Sequence, residues 1–168
     1  MATRLLPWLA CLLLCACSST PPRPEIAATY YLVRHAEKAP NAGNDPPLTA
    51  AGTARAERLS ASLAQVPLRA IYSTATTRTR QTAAPTAHLH RLAITDYDAA
   101  DAAAFAAYLR HTHSHDAVLV IGHSNTLPAL ARMLCQCAVE EMDEAVYGIR
   151  YTVTYDGKSQ PHLQVSRD

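Results

Sequence analysis

Arg34-His35 follows directly on Tyr30-Tyr31-Leu32-Val33, and Gly122-His123 follows directly on Ala117-Val118-Leu119-Val120-Ile121. Neither apolar run alternates with polar residues, which is the pattern of a strand buried on both faces. A third short run, Ala70 to Ser73, reads as a strand ending in Ser73-Thr74, and Arg78 then stands at the opening of a helical stretch. Imidazole is a base and nucleophile near neutral pH. The guanidinium fork matches phosphate oxygens bidentately. Two arginines, two histidines and a helix N-terminus, if brought together, would make a phosphoryl site that needs no metal. Taken alone, Arg34-His35 reads equally well as a strand followed by a solvated charged turn, so the inference depends on what positions these residues.

The chain reads as strands alternating with helices. After the first strand, Ala39 to Pro47 is a loop by its turn residues. Thr49 caps a helix running to about Gln65, with Leu59, Leu63 and Val66 at helical spacing. A second helix spans about Thr77 to Ala87, a strand Leu92 to Thr95, and a third helix Ala99 to Arg110. Ala117 to Ile121 is the clearest strand. A fourth helix carries Leu127, Leu130, Ala131 and Leu134 on one face, with Pro128 in its first turn. Tyr147 to Val165 reads as two strands around Asp156-Gly157. This order predicts an α/β fold, a mostly parallel sheet with helices on both faces. Parallel strands would bring the ends at His35, Thr74 and His123 to one sheet edge, where such sheets bind ligands.

The 168 residues suffice for one domain, and 15 Lys+Arg against 14 Asp+Glu give a net charge of +1. That balance argues against nucleic acid as a partner. At the N-terminus, Arg4 precedes an apolar run from Leu5 to Cys17, interrupted by Pro7 and too short to span a membrane. Its end, Leu14-Cys15-Ala16-Cys17-Ser18-Ser19, resembles a bacterial lipobox. The expected organisation is therefore a signal peptide over 1–16, a lipidated Pro-rich tether over 17–28 and a folded domain over 29–168. Cys17 would carry the lipid, and the absence of aspartate after it favours the outer membrane, facing the periplasm. An ordinary cleaved signal is the alternative. Cys135 and Cys137 would then be the remaining thiols. They read either as a tight disulfide in an oxidising compartment or as two small residues at a helix end.

In order along the chain, Arg34-His35-Ala36, Asp45-Pro46-Pro47-Leu48-Thr49-Ala50-Ala51-Gly52, the block Tyr72 to Ala83 containing Arg78, and Gly122-His123-Ser124 resemble the histidine phosphatase superfamily, also called phosphoglycerate mutase-like. The resemblance covers about residues 29 to 135. It implies the three-layer fold of that family and a phosphatase acting on a phosphorylated substrate without cofactor or metal. By the same resemblance His35 is the nucleophile that becomes phosphohistidine, and Arg34, Arg78 and His123 hold the phosphoryl oxygens. Two departures stand out. Ala36 replaces a glycine, and the family's usual acidic proton donor has no obvious match. Glu37 is one candidate acid, and Asp96 and Asp98 are others; Glu37 reads somewhat better as a solvent-exposed ion-pair partner of Lys38 or Arg34. Asn41, six residues past His35, is a candidate phosphate contact.

Other readings compete. Gly122-His123-Ser124-Asn125-Thr126 is most of a nucleophile elbow, which would make Ser124 a hydrolase nucleophile with Asp143 or Asp156 and His162. That reading leaves Arg34, His35 and Arg78 idle. A lipid-anchored module that keeps the phosphate pocket without turnover is the other alternative. His111-x-His113-x-His115 is the most metal-like string and is expected to be surface histidines. Arg80 is expected at the surface, and His88 and His90 on the connection leaving the second helix.

Overall fold

The computed structural model describes residues 26–40, 42–156 and 160–167. The chain runs β1 (Ile26–Arg34), α1 (Ala50–Ser62), β2 (Leu68–Ser73), α2 (Thr77–His90), β3 (Ile94–Asp96), α3 (Ala102–Thr112), β4 (Ala117–Gly122), α4 (Leu127–Cys135), β5 (Ile149–Asp156) and β6 (Pro161–Arg167). All six strands form one sheet in the order β3-β2-β4-β1-β5-β6. β3, β2, β4 and β1 are mutually parallel, and β5 and β6 add as an antiparallel edge. The mostly parallel α/β fold expected from the sequence is the one observed.

Strand side chains alternate between two cores, as the period of two requires. Tyr30, Leu32, Val118 and Val120 face α3 and α4, packing against Phe105, Leu109, Leu127 and Leu134. Val33, Leu119 and Ile121 face α1 and α2, packing against Leu59, Leu63, Ala83 and Ala87. The result is helix pair, sheet, helix pair. The apolar face predicted for the fourth helix, Leu127, Leu130, Ala131 and Leu134, is buried.

Boundaries moved where local chemistry decided them. β1 starts at Ile26, so residues 26–28 of the expected tether are strand. Thr49 caps α1 by accepting the Gly52 N–H, as expected, but the helix ends at Ser62. α2 continues to His90, which puts His88 and His90 in its last turn and not on the connection; Arg91 closes it in the left-handed conformation (φ 55°). Cys135 and Cys137 form a disulfide across the end of α4. Among the described residues no helix is long and apolar enough to cross a membrane. The signal, the lipid site Cys17 and Asn41 lie outside the described residues.

Candidate active site

Strand register decides which residues meet. Arg34 is level with Gly122, and Ser73 is level with both Ile121 and Asp96. The ends of β1, β4 and β2 therefore stand side by side at the carboxyl edge. The junction is held by the backbone: His35 N–H donates to the Gly122 carbonyl at 3.0 Å, and Thr74 N–H to the Ile121 carbonyl at 3.3 Å. Gly122 is required by close approach. A Cβ there would lie 2.6 Å from the Tyr97 hydroxyl and 2.8 Å from a Leu127 methyl.

The two imidazoles face each other at this edge, ring centroids 5.4 Å apart and planes at 67°. His35 Nδ1 lies 2.8 Å from its neighbour's carbonyl, that of Ala36. A carbonyl only accepts, so Nδ1 carries the proton and Nε2 keeps its lone pair. Ala36 N–H in turn donates to Thr82 Oγ1 at 3.0 Å, tying the loop after β1 to α2. Positive φ among non-glycine residues occurs only at Arg91 and Gln136 within the described chain, so alanine at position 36 carries no left-handed strain. His123 Nε2 lies 2.9 Å from Thr74 Oγ1.

Burial sets the charge state. Desolvation, and then Arg34, Arg78 and His123, bring the His35 pKa down to about 4 against the upward pull of its Ala36 hydrogen bond. Desolvation, Arg78, Arg34 and Lys38 bring His123 to about 4 as well. Both rings are neutral at physiological pH. Arg34 is 2 % exposed. Its Nη1 donates to the carbonyls of Val146 (2.9 Å) and Asp143 (3.3 Å), and its guanidinium lies 4.2 Å from the centre of the Tyr147 ring. Arg78 Nη1 is 3.6 Å from Asp45 Oδ1. The Nε–H groups of both arginines are buried without a partner.

Some expected roles do not survive. Glu37 is not poised as a proton donor. Arg55 on α1 donates to both its carboxylate oxygens, and that pairing holds it below the usual carboxylate range. The ion-pair reading was right in kind, but the partner is Arg55, not Lys38 or Arg34. Asp96 pairs with Arg80, which is exposed as expected, and Asp98 accepts the Ala100 N–H. At the N-terminus of α2 the first N–H is already taken: Asp45 accepts from Thr77 N–H at 2.9 Å and Thr77 Oγ1 at 2.6 Å. The serine-hydrolase arrangement does not form. His162 and Asp156 lie at the far end of the sheet, level with Thr154 and Ile26, opposite the edge that bears Ser124.

The histidine string splits. His111 and His115 are exposed, whereas His113 is enclosed, its Nε2 2.8 Å from the Tyr72 hydroxyl and its Nδ1 2.8 Å from Asp116. No group of three or more potential metal ligands occurs among the described residues. Sequence reasoning missed Thr74, Thr82 and Tyr147. Thr74 directly follows β2, four residues before Arg78, and Tyr147 is the one aromatic residue between Met142 and Gly148.

Fold and site together bring two histidines and two arginines to the carboxyl edge of an α/β sheet. Residues 30–101 match the family described as Histidine phosphatase superfamily (branch 1). The matched segment holds Arg34, His35 and Arg78, and the enzyme class expected from the sequence, a phosphoric monoester hydrolase of the histidine phosphatase type, is the class of that family. No curated protein matches the sequence. Among solved structures, the fold is similar to the protein histidine phosphatase SixA in complex with tungstate (TM-score 0.68, 19% identity, 83% of this chain and 96% of that one). It is similar also to a mycobacterial glucosyl-3-phosphoglycerate phosphatase (0.67, 14%, 83% and 98%) and to Bacillus stearothermophilus YhfR (0.66, 22%, 84% and 98%).

Proposed function

We propose that the protein is a cell-envelope phosphatase that hydrolyses phosphorylated substrates with good leaving groups through a phosphohistidine at His35. The observation that carries this is the pairing of a neutral, oriented imidazole with buried Arg34 and half-buried Arg78, whose Nε–H groups are buried without partners. His35 Nε2 attacks phosphorus in line, forming a P–N bond as the P–O or P–N bond to the leaving group breaks. Arg34 and Arg78, joined by His123 once the bound dianion favours its protonated form, hold the equatorial oxygens and stabilise the charge spread over them in flight. Water then attacks the phosphohistidine, releasing inorganic phosphate and restoring Nε2.

Glu37, Asp96 and Asp98 are each engaged elsewhere, so none stands ready to protonate an alkoxide. This favours aryl phosphates, acyl phosphates or phosphohistidine, whose leaving groups need little proton assistance. The likeness to SixA, a protein histidine phosphatase, points the same way. The lipobox-like run ending at Cys17 supports anchoring at the outer membrane, facing the periplasm. Replacing Cys17 by serine should release the protein from membranes or stall its processing.

The test is hydrolysis of an aryl phosphate by the full-length protein in detergent, with EDTA present throughout, together with capture of an acid-labile phosphoenzyme. Activity lost to EDTA and restored by zinc would overturn the metal-free mechanism. Phosphate binding with no turnover of any of the three substrate classes would instead support the binding-module reading.

A further inference from the structure

Arg34 reaches the phosphoryl site from β1, yet nothing on β1 holds its guanidinium. The holding groups come from the segment between α4 and β5. Val146 and Asp143 carbonyls both accept from Nη1, and the guanidinium carbon lies over the Tyr147 ring, 4.2 Å from its centre. That segment is itself a compact turn. Val146 N–H donates to the Asp143 carbonyl at 3.1 Å, and Ala145 N–H to Asp143 Oδ1 at 2.8 Å. Buried Met142 anchors one end, and the other enters β5 at buried Ile149 through Gly148, whose φ of 82° turns the chain sharply.

A guanidinium offers two forks, one formed by its two terminal nitrogens and one by Nε with a terminal nitrogen. With Nη1 committed to two carbonyls, the first fork is spent. The second keeps a buried Nε–H with no partner. Carbonyls fix one edge of the plane but allow it to tilt. A ring packed on the face removes that freedom, and cation–π attraction favours the stacked arrangement where water is excluded. The same ring meets His35 edge-on, centroids 6.2 Å apart and planes at 61°, so it touches both nucleophile and clamp.

We propose that Tyr147 is a positioning residue that sets the plane of Arg34 so that its Nε edge, and not its terminal edge, engages the phosphoryl oxygens. This rests on the phosphatase reading for its kinetic arm but not for its binding arm. The ring acts through its π-face, and the hydroxyl is dispensable.

The experiment compares Tyr147→Phe and Tyr147→Leu in the full-length protein, each in the wild-type and Arg34→Ala backgrounds, by aryl phosphatase kinetics and by inorganic phosphate affinity. Tyr147→Phe should stay within about twofold of the wild type. Tyr147→Leu should lose about tenfold in kcat/KM and bind phosphate about tenfold more weakly, the scale of one desolvated cation–π contact. In the Arg34→Ala background the leucine change should add less than about twofold, because its target is gone. If Tyr147→Leu does not fold, Tyr147→Met replaces it, keeping length without a π-face. Equal losses for Phe and Leu, no loss for Leu, or the same loss in both backgrounds would overturn the proposal. A wild-type protein that binds phosphate but hydrolyses nothing would sink the phosphatase reading while the affinity arm still decides the role of Tyr147; absence of phosphate binding would overturn both.

Discussion

Glu37 and Arg55 are locked together: Arg55 Nε donates to both carboxylate oxygens at 3.1 and 3.0 Å, and Nη2 donates to Oε1 at 2.7 Å. The carboxylate two residues past His35 therefore serves to fasten α1 to the loop after β1. The fit is tight, since a Cβ on Gly52 of α1 would lie 3.0 Å from the Glu37 nitrogen and closer still to its carbonyl oxygen.

Glu37→Gln should accordingly leave kcat on an aryl phosphate within about threefold of the wild type, since loss of a general acid would cost about 10²–10⁴. Weakening the pair should cost about 1 kcal/mol of stability, or about 2–4 °C in melting temperature for a chain of this size. Steady-state kinetics and thermal melting check both. A hundredfold fall in kcat with unchanged melting would restore Glu37 as the acid.

The parts of this site that were legible in the sequence are those fixed by strand periodicity. Unbroken apolar runs ending in Arg34-His35 and Gly122-His123 forced two buried strands, and parallel pairing then forced their ends to one edge. What stayed hidden depends on side chains meeting across long separations. Tyr147 stands 113 residues from Arg34, and the carbonyls beside it accept across separations of 109 and 112. No local pattern encodes that. Asp45 was quoted as part of a motif, but its capping of Thr77 across 32 residues required the loop path to be known. Glu37's partner was missed for the same reason: Arg55 lies a helix away, while Lys38 and Arg34 are near in sequence.

Titration should show the buried pair directly. His35 and His123 ionise near about 4 because burial, reinforced by Arg78 and Arg34, opposes the charged form. Their proton NMR signals should therefore titrate near pH 4 and not near 6.5. Arg78→Ala should move both upward by only part of the difference, as desolvation is the larger cause. In the unfolded chain these rings take up protons near 6.5, so the unfolded state binds more protons between the two values. The histidines' contribution to stability is intact above about pH 6.5 and is lost as pH falls toward 4. Melting temperature should fall across that window, and less steeply in His123→Gln. Signals titrating at 6.5 would contradict the burial argument.

Thr74 orients the second histidine. Its Oγ1 meets His123 Nε2 at 2.9 Å and donates to Thr79 Oγ1 at 3.1 Å, while Thr79 donates to the carbonyls of Thr74 and Thr76. Thr74→Val keeps the shape and removes the hydroxyl. One such hydrogen bond is worth about 1 kcal/mol, so kcat/KM should drop about five- to tenfold with folding retained. Kinetics equal to wild type would mean that the Gly122 backbone alone places His123.

The two histidines are chemically unequal, and labelling separates them. His35 has its Nδ1 proton committed to the Ala36 carbonyl, which leaves Nε2 as a lone-pair donor held by a buried loop. His123 has its Nε2 facing Thr74, which is the attachment of a clamp and not of an attacking group. Removing the nucleophile eliminates the covalent route, whereas removing a clamp weakens a step that still exists. His35→Ala should thus form no acid-labile phosphoenzyme at any concentration of aryl phosphate. His123→Ala and Arg78→Ala should form it slowly, with turnover reduced about 10²–10³-fold, the usual cost of one preorganised donor. Ser124→Ala should stay within about tenfold of wild type, because His162, the histidine that a serine mechanism would need, lies at the other end of the sheet. Rapid-quench labelling with a radioactive aryl phosphate reads all four variants. Phosphoenzyme persisting in His35→Ala would move the nucleophile to His123, and a Ser124→Ala protein as inactive as His35→Ala would shift the chemistry to the hydroxyl.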